Sequence, residues 1–508
     1  MPNNGNLYGR FLEQADAHPR RKALLFESNT WRYHDIRRLI QIQASRLRAA
    51  GLRPGQRTAI LLKNSPAYVF NLFAIWACGA SAVPINHFLK GAEIDFILKD
   101  SGASLLVTES EFQQTVDALA ASVRVFQVDQ LSEEEERVFS AEISGNPKEI
   151  ALIIYTSGTT GQPKGACLTH GNLIANVESC EDALGVKSKS DRILIILPMF
   201  HSFMMTVGIL TPLLTGFGIV LVTSLKPFSN VIKEMIKKRV TILPAIPQVY
   251  QALASAPIPW YVHWLLSLRL AISGAAPLPA ETLERFGRKF KIKLLEGYGL
   301  SEASPVVTFN PLWGIQKAGS CGLPIKDVEV SIRDDGGRPL PAGEVGEVCV
   351  RGSNVMSGYL NNDHETAKTI RDGWLHTGDL GKTDADGYLY IVDRLKDMLL
   401  VHGMNVYPRE IEEVIHRFPG VKECAVIGRA DTAKGETPIA FFVAEETQSI
   451  DVKALREYCR IQLADYKCPR EFHLLPMLPR NPAGKILKTE LRALASSKPA
   501  PSLTSASS

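Results

Sequence analysis

The segment YTSGTTGQPKG, residues 155–165, is the densest set of chemically capable groups in this 508-residue chain. Gly158, Gly161 and Gly165 permit positive φ and let the backbone come close to a ligand. Tyr155, Thr156, Ser157, Thr159 and Thr160 offer hydroxyls, and Lys164 offers a positive charge. Amides, hydroxyls and a lysine in one loop suit the β- and γ-phosphates of a nucleotide. The order differs from a GxxxxGKS or GxxxxGKT phosphate loop, because Pro163 precedes Lys164 and Gly165 follows it. A second feature is defined by what it lacks. From Ile193 to Leu225, 33 residues, there is no Asp, Glu, Lys or Arg.

These features need a scaffold, and the composition supplies ordinary material for one. Hydrophobic residues make up 45% and charged residues 22%, as in soluble globular proteins, and the length predicts three to five structural units. Against 53 acidic residues the 57 basic ones leave a net charge of +4, too little for a nucleic-acid footprint. Eight cysteines without a CxxC pair predict reduced thiols rather than a disulfide or zinc framework. Residues 1–22 lack the apolar core of a secretory signal. Over the first half of the chain helical and strand signals alternate: helices over 33–50 and 65–77, strands over 58–62, 105–108 and 123–128. Short Gly/Pro connections between them predict an α/β fold with mainly parallel sheets. Strands of such sheets, covered on both faces, read as continuous apolar runs. Pro198, Pro212 and dispersed glycines divide the charge-free run, which therefore predicts strand, core helix and strand rather than a membrane span.

Beyond Gly319, short strands and Gly/Pro turns predict a small β-barrel-like unit. A charged connector, DRLKD (393–397), precedes an amphipathic helix with Ile411, Val414, Ile415 and Phe418 on one face. Strands CAVIG and IAFFVA and a helix over 452–463 complete a separate α+β unit. The acidic run Glu133–Glu136 predicts a solvated loop or helix face, and the small polar residues after 494 a disordered tail.

At its motifs the chain resembles the adenylate-forming, AMP-binding acyl-CoA synthetase superfamily over about residues 7–494. EGYGLSEASPV (296–306) and RGSNVMSGYL (351–360) make it most similar to bacterial long-chain fatty acid–CoA ligases and acyl–acyl-carrier-protein synthetases. The resemblance implies a large N-terminal adenylation domain (1–395) built of two α/β subdomains and the β unit. A small hinged α+β C-terminal domain (396–494) and a tail (495–508) would follow. It implies ATP, Mg2+ and CoA, with a carboxylate attacking the α-phosphorus and a thiol then taking the acyl group from AMP. Thr156, Ser157, Gly158, Thr159, Thr160 and Lys164 would cradle phosphates. Glu296, Gly297, Tyr298, Gly299 and Ser301 would border adenine and α-phosphate, with Gly274 and Ala275 of SGAAP beside them. Glu302 and Thr160 would hold the metal, Asp379 and Arg394 the ribose. Lys485 of NPAGK would bridge carboxylate and phosphate, Lys396 would be the hinge, and Gly403 would border the thiol. Ser301 stands where Thr is commoner, and His402 and Met404 replace commoner small or polar residues.

His201, in PMFHSF, resembles the family's gate to the acyl pocket. No acidic residue lies between Asp191 and Glu234, so a substrate ammonium would be buried without a partner, which disfavours amino acids. The expected reaction is therefore activation of a medium- or long-chain fatty acid and transfer to CoA, with acyl carrier protein as the alternative acceptor. A non-enzymatic membrane protein would need the charge-free run to insert, and a luciferase-like oxygenase would share every adenylation motif. Trp260, Trp264, Leu265 and Leu268 fall near helical spacing in 257–268, which predicts an interfacial helix collecting fatty acid from a membrane; a core or dimer helix, hence a homodimer, is the other reading of that stretch. The expected location is the cytoplasm, with peripheral contact at the inner face of the membrane.

Overall fold

A computed structural model describes residues 5–128, 145–156, 163–185, 190–223, 228–257, 262–402, 404–431, 435–445, 450–480 and 486–496. The chain divides into two compact units. Met1–Ser331, Cys349–Thr377 and Asp386–Leu389 form the first; Ile332–Val348, Gly378–Ala385 and Tyr390–Ser508 form the second. Strands Val328–Arg333, Gly346–Gly352, Trp374–Thr383 and Leu389–Arg394, from the region after Gly319, each divide their residues between the two. The acidic run and the residues after 496 lie outside the described residues.

Two large sheets organise the first unit. One has nine strands, with Lys293–Gly299, Leu270–Ser273, Ile242–Ala245, Arg192–Ile195, Gly218–Leu221 and Lys22–Phe26 running parallel at its centre. The other has seven, in which Ile150–Thr156, Ser81–Pro84, Arg57–Leu61, Leu105–Thr108 and Arg124–Gln127 are parallel. Alternation of helix and strand thus gives the mainly parallel α/β architecture expected. The helix Pro66–Ala77 has Ser65 as its N-cap and Pro66 in its first turn, and every side chain from Tyr68 to Ala77 is buried. A helix apolar on all sides belongs in the core.

The charge-free run folds as Arg192–Ile195, a π-helix Met204–Leu210 continued by Thr211–Thr215, and Gly218–Leu221 beside the first strand. Pro212 has no N–H to offer the Gly208 carbonyl, and the amide of Thr211 reaches back five residues to Thr206. Among the described residues no helix is long and apolar enough to cross a membrane. The expected helix over 257–268 differs. Its described part is one turn, Val262–Leu265, with Trp264 83% and Leu265 53% exposed but Leu268 buried. The cause is the next element: Arg269 already bonds Thr241 to open the strand Leu270–Ser273, which carries Leu268 into the core. Trp260 and Tyr261 lie outside the described residues.

In the second unit, Met404–Val406, Leu399–Val401, Gly435–Ala444, Val421–Asp431 and Glu471–Leu474 make a five-stranded sheet. Alternate residues pack on opposite faces. Val426 and Phe442 meet the helices Pro408–His416 and Val452–Gln462 through Ile411, Ile415 and Leu455. Ile427 and Phe441 meet Leu491 of Lys488–Ser496.

Candidate active site

Three loops of the first unit leave the carboxyl ends of parallel strands, the usual place for a ligand in open α/β sheets. The first follows Arg192–Ile195 and carries His201. Asn64 fixes it, donating to the Leu197 carbonyl and accepting from the Met199 amide, both at 2.8 Å. Burial holds the His201 imidazole below its ordinary pKa, and its Nδ1 accepts the Phe203 amide at 3.3 Å. The second loop, 273–278, carries Ala275 at φ 66, a left-handed conformation that costs a non-glycine residue about 1 kcal/mol. Gly274 packs beside the Phe203 ring, which would stand in ordinary contact, 3.4 Å, with a Cβ there. Glu296 is buried and accepts the Leu278 amide at 3.0 Å, so it braces this turn.

The third loop is YGLSE. Gly299 is required by sterics: a Cβ would lie 2.1 Å from the Pro305 carbonyl oxygen. Gly297 is less crowded, with a Cβ 3.0 Å from the Thr308 carbonyl oxygen and the Phe309 ring, and Tyr298 between the two glycines is half-buried. The turn is strapped to the first loop, with Ser301 Oγ 3.0 Å from Ser202 Oγ and Thr206 donating to the Ser304 carbonyl at 2.8 Å.

Glu302 projects from this turn. Its Oε1 accepts Thr156 Oγ1 at 3.3 Å and the Tyr359 hydroxyl at 2.9 Å. Among the described residues nothing bonds its Oε2, so Oε1 is the oxygen they orient. An oriented carboxylate fits a hard cation such as Mg2+, which takes few protein ligands and keeps its waters. Lys164, across the hairpin from Thr156, pairs with Glu365 and lies 5.5 Å from the Tyr359 ring centroid. Lys164 and Lys368 in turn hold the Glu365 carboxyl below its ordinary pKa. Two expectations for this loop change. Tyr155 donates its hydroxyl to Asp100 at 2.6 Å, and Gly165 lies in the strand Lys164–Thr169, where close packing with Ile153 and Tyr155 demands glycine. Ser157, Gly158, Thr159 and Thr160 lie outside the described residues.

In the second unit the chain brings Asp379 and Arg394 together, with Arg394 Nε 3.4 Å from Asp379 Oδ1. Burial lowers the pKa of Lys396, which follows. Asp393 accepts the amides of Arg394 and Arg409, and Asp397 accepts Arg492 at 2.9 Å. Partly buried Lys488 bonds Glu412 at 2.9 Å; desolvation opposes its charge, but Glu412, Asp393 and Asp397 outweigh it and raise its pKa. Gly403 and Lys485 lie outside the described residues.

Tyr359 and Ser202 escape the motif reading. Tyr359 sits in RGSNVMSGYL, but its carboxylate partner is 57 residues away and no local spacing reports the contact.

The description "AMP-binding enzyme" matches residues 11–360, and "AMP-binding enzyme C-terminal domain" matches 410–485. A feruloyl-CoA synthase of Amycolatopsis is 38% identical over 95% of this chain and 97% of its own. A long-chain-fatty-acid–CoA ligase of Bacillus subtilis is 32% identical over 96% and 94%. The structure of o-succinylbenzoate coenzyme A synthetase from Bacillus subtilis, in complex with ATP and magnesium ion, superposes with TM-score 0.85 at 32% identity, covering 95% of this chain and 99% of that one. The chain therefore belongs to the AMP-binding enzyme family, the adenylate-forming acid–CoA ligases.

Proposed function

We propose that the protein activates a medium- or long-chain fatty acid with ATP and transfers the acyl group to CoA. The observation that carries the acid's identity is the charge-free run, folded as strand, π-helix and strand with His201 between the first strand and the π-helix. Met204, Met205, Val207 and Ile209 are buried there, and the run itself contains no acid to pair with an ammonium.

In the first half-reaction the carboxylate oxygen attacks the α-phosphorus and pyrophosphate leaves. Thr156, Ser157, Gly158, Thr159 and Thr160 hold the phosphates, and Ser301 bonds the α-phosphate. Glu302, with Thr160, holds Mg2+, which neutralises phosphate charge. Gly274, Ala275, Gly297, Tyr298 and Gly299 border adenine, and His201 gates the acyl pocket. Asp379 and Arg394 take the ribose, since an ionised carboxylate accepts two hydroxyls at once. Lys485 neutralises charge shared between the attacking carboxylate and the phosphate, as a point charge on a flexible stem can. In the second half the thiolate attacks the acyl carbon and AMP leaves, with Gly403 beside the thiol.

A second reading is favoured by the 38% identity to a feruloyl-CoA synthase: an aryl-propenoic acid such as ferulate in the same pocket. Acyl carrier protein remains the alternative acceptor. The protein acts in the cytoplasm, where exposed Trp264 and Leu265 give 257–268 a peripheral hold on the inner membrane face; liposome flotation unchanged by Trp260→Ser with Trp264→Ser would dismiss that contact. The deciding experiment measures AMP release from ATP with fatty acids of increasing length, or ferulate, and with CoA or carrier protein as acceptor. Chain-length-dependent AMP release with CoA supports the proposal. Release with ferulate alone transfers the assignment to the aryl acid, and no release with either thiol overturns it.

A further inference from the structure

We infer that Tyr359 is a positioning residue that sets the metal-facing carboxylate of Glu302 against the neck of the phosphate loop, and that Lys164 serves in that neck. The inference rests on the adenylation reading and adds to it a segment with no assigned role.

Residues 354–360 stitch the two sheets of the first unit together. Toward the YGLSE turn, Asn354 Nδ2 donates to the carbonyls of Ala303 and Val306 at 2.9 and 3.0 Å, and the Met356 amide donates to the Glu302 carbonyl at 2.8 Å. Toward the hairpin, the amides of Ser357 and Leu360 donate to Cys167 and Gly165 at 3.0 and 2.8 Å. Gly358 and Tyr359 pair in antiparallel register with Cys167 and Ala166. The Tyr359 backbone is therefore fixed on one element while its hydroxyl reaches the other.

Thr156 and Lys164 are register partners at the mouth of the hairpin. Thr156 donates to Glu302 Oε1, the same oxygen that takes the Tyr359 hydroxyl, and Lys164 lies over the Tyr359 ring. Thr156, Glu302, Tyr359 and Lys164 thus close a ring across the neck, with Glu365 anchoring the lysine. Two donors on Oε1 restrict the rotation of the carboxylate. A carboxylate that must meet a cation with strict octahedral demands gains from being held in this way.

Tyr359→Phe keeps the ring over Lys164 and removes the bond to Glu302. Mn2+ binding to the intact chain is followed by its electron-paramagnetic signal, with α,β-methylene-ATP present and no acid added. Loss of a partner that orients a metal ligand weakens the metal about tenfold or more, and that weakening, with the melting temperature preserved, is the expected result. Unchanged Mn2+ affinity in Tyr359→Phe overturns the inference. Should that variant not fold, Glu365→Gln frees Lys164 without touching Glu302. It should weaken binding of the ATP analogue at least about threefold, and unchanged binding overturns the role given to the neck. A wild-type protein that binds neither Mn2+ nor the analogue refutes the adenylation reading itself, a different failure.

Discussion

Gly299→Ala tests whether the YGLSE turn works as a rigid positioner. The added Cβ would sit 2.1 Å from the Pro305 carbonyl oxygen, whereas carbon and oxygen ordinarily approach to about 3.3 Å. One of the two segments must retreat by about 1 Å. Pro305 and Val306 are poorly placed to do so. Leu300 donates to the Pro305 carbonyl at 3.0 Å, while buried Asn176 accepts the Val306 amide at 3.2 Å and donates to its carbonyl at 2.8 Å. Asn354 holds the same carbonyl at 3.0 Å. The displacement therefore falls on 299–302, which carries Ser301 and Glu302. Misplacing reacting groups by about 1 Å costs on the order of a hundredfold in rate, about 2.7 kcal/mol in the barrier. The assay is acid-dependent exchange of labelled pyrophosphate into ATP, which reports adenylation without the thiol step. Circular dichroism confirms that the variant is folded. A folded Gly299→Ala enzyme exchanging within threefold of wild type would refute the steric argument and the rigidity assigned to this turn.

Gly287, in the helix Ala280–Phe290, is the contrasting case, because a Cβ there meets nothing within 4 Å; Gly287→Ala should raise stability by up to about 1 kcal/mol in denaturant titration and leave exchange unchanged. His170, 3% exposed, accepts the Leu7 amide on Nδ1, and burial lowers its pKa from 6.5 to about 4. As pH falls through 6.5 the unfolded imidazole gains a proton that the folded one refuses until about 4, so stability is lost across that window. Between pH 7.5 and 5 the loss should be about 2 kcal/mol, and His170→Gln should remove that much of the slope in urea titrations; an unchanged slope contradicts the assignment. Lys488→Met leaves the partly buried Glu412 and the carboxylates of Asp393 and Asp397 without their shared cation, at a cost of about 2 kcal/mol. Calorimetry should show the second unit melting earlier at neutral pH, whereas an unaltered trace would show that the cation is dispensable. Asp379→Ala should raise the KM for ATP about tenfold or more by removing a charged acceptor, and an unaltered KM would dismiss its ribose role.

What was legible in the sequence is what repeats locally. Alternating helix and strand signals fixed the fold class because each element has its own period and its own stop, such as Ser65–Pro66 opening a helix whose side chains are all buried from Tyr68 onward. The charge-free run was readable because central parallel strands are covered on both faces and leave no position for a charge. Asp379 and Arg394 were nominated together by motif, and folding brings them within 3.4 Å. The π-register of Met204–Leu210 was not visible, since Met, Val, Ile and Leu suit any helical winding and only Pro212 marks the disturbance.

Lys164 shows why partners are harder to read than elements. Its place in a glycine-rich loop suggests a phosphate ligand, yet the cation sits with Glu365, 201 residues further on, and over Tyr359. Charge and position fix what a lysine is able to do; the nearest opposite charge decides what it does in this state, and that neighbour arrives by topology. The strand pair Gly358–Tyr359 with Lys164–Thr169 delivers it, because joining the edge of the hairpin puts the helix Asp363–Thr369 beside the lysine. A motif reading weighted toward Gly, Ser, Thr and Lys passes over that strand, although the Tyr359 hydroxyl is what links the lysine's side of the neck to Glu302. Residues that touch a ligand announce themselves by type, whereas residues that hold those residues in place are found only when the sheet order is known.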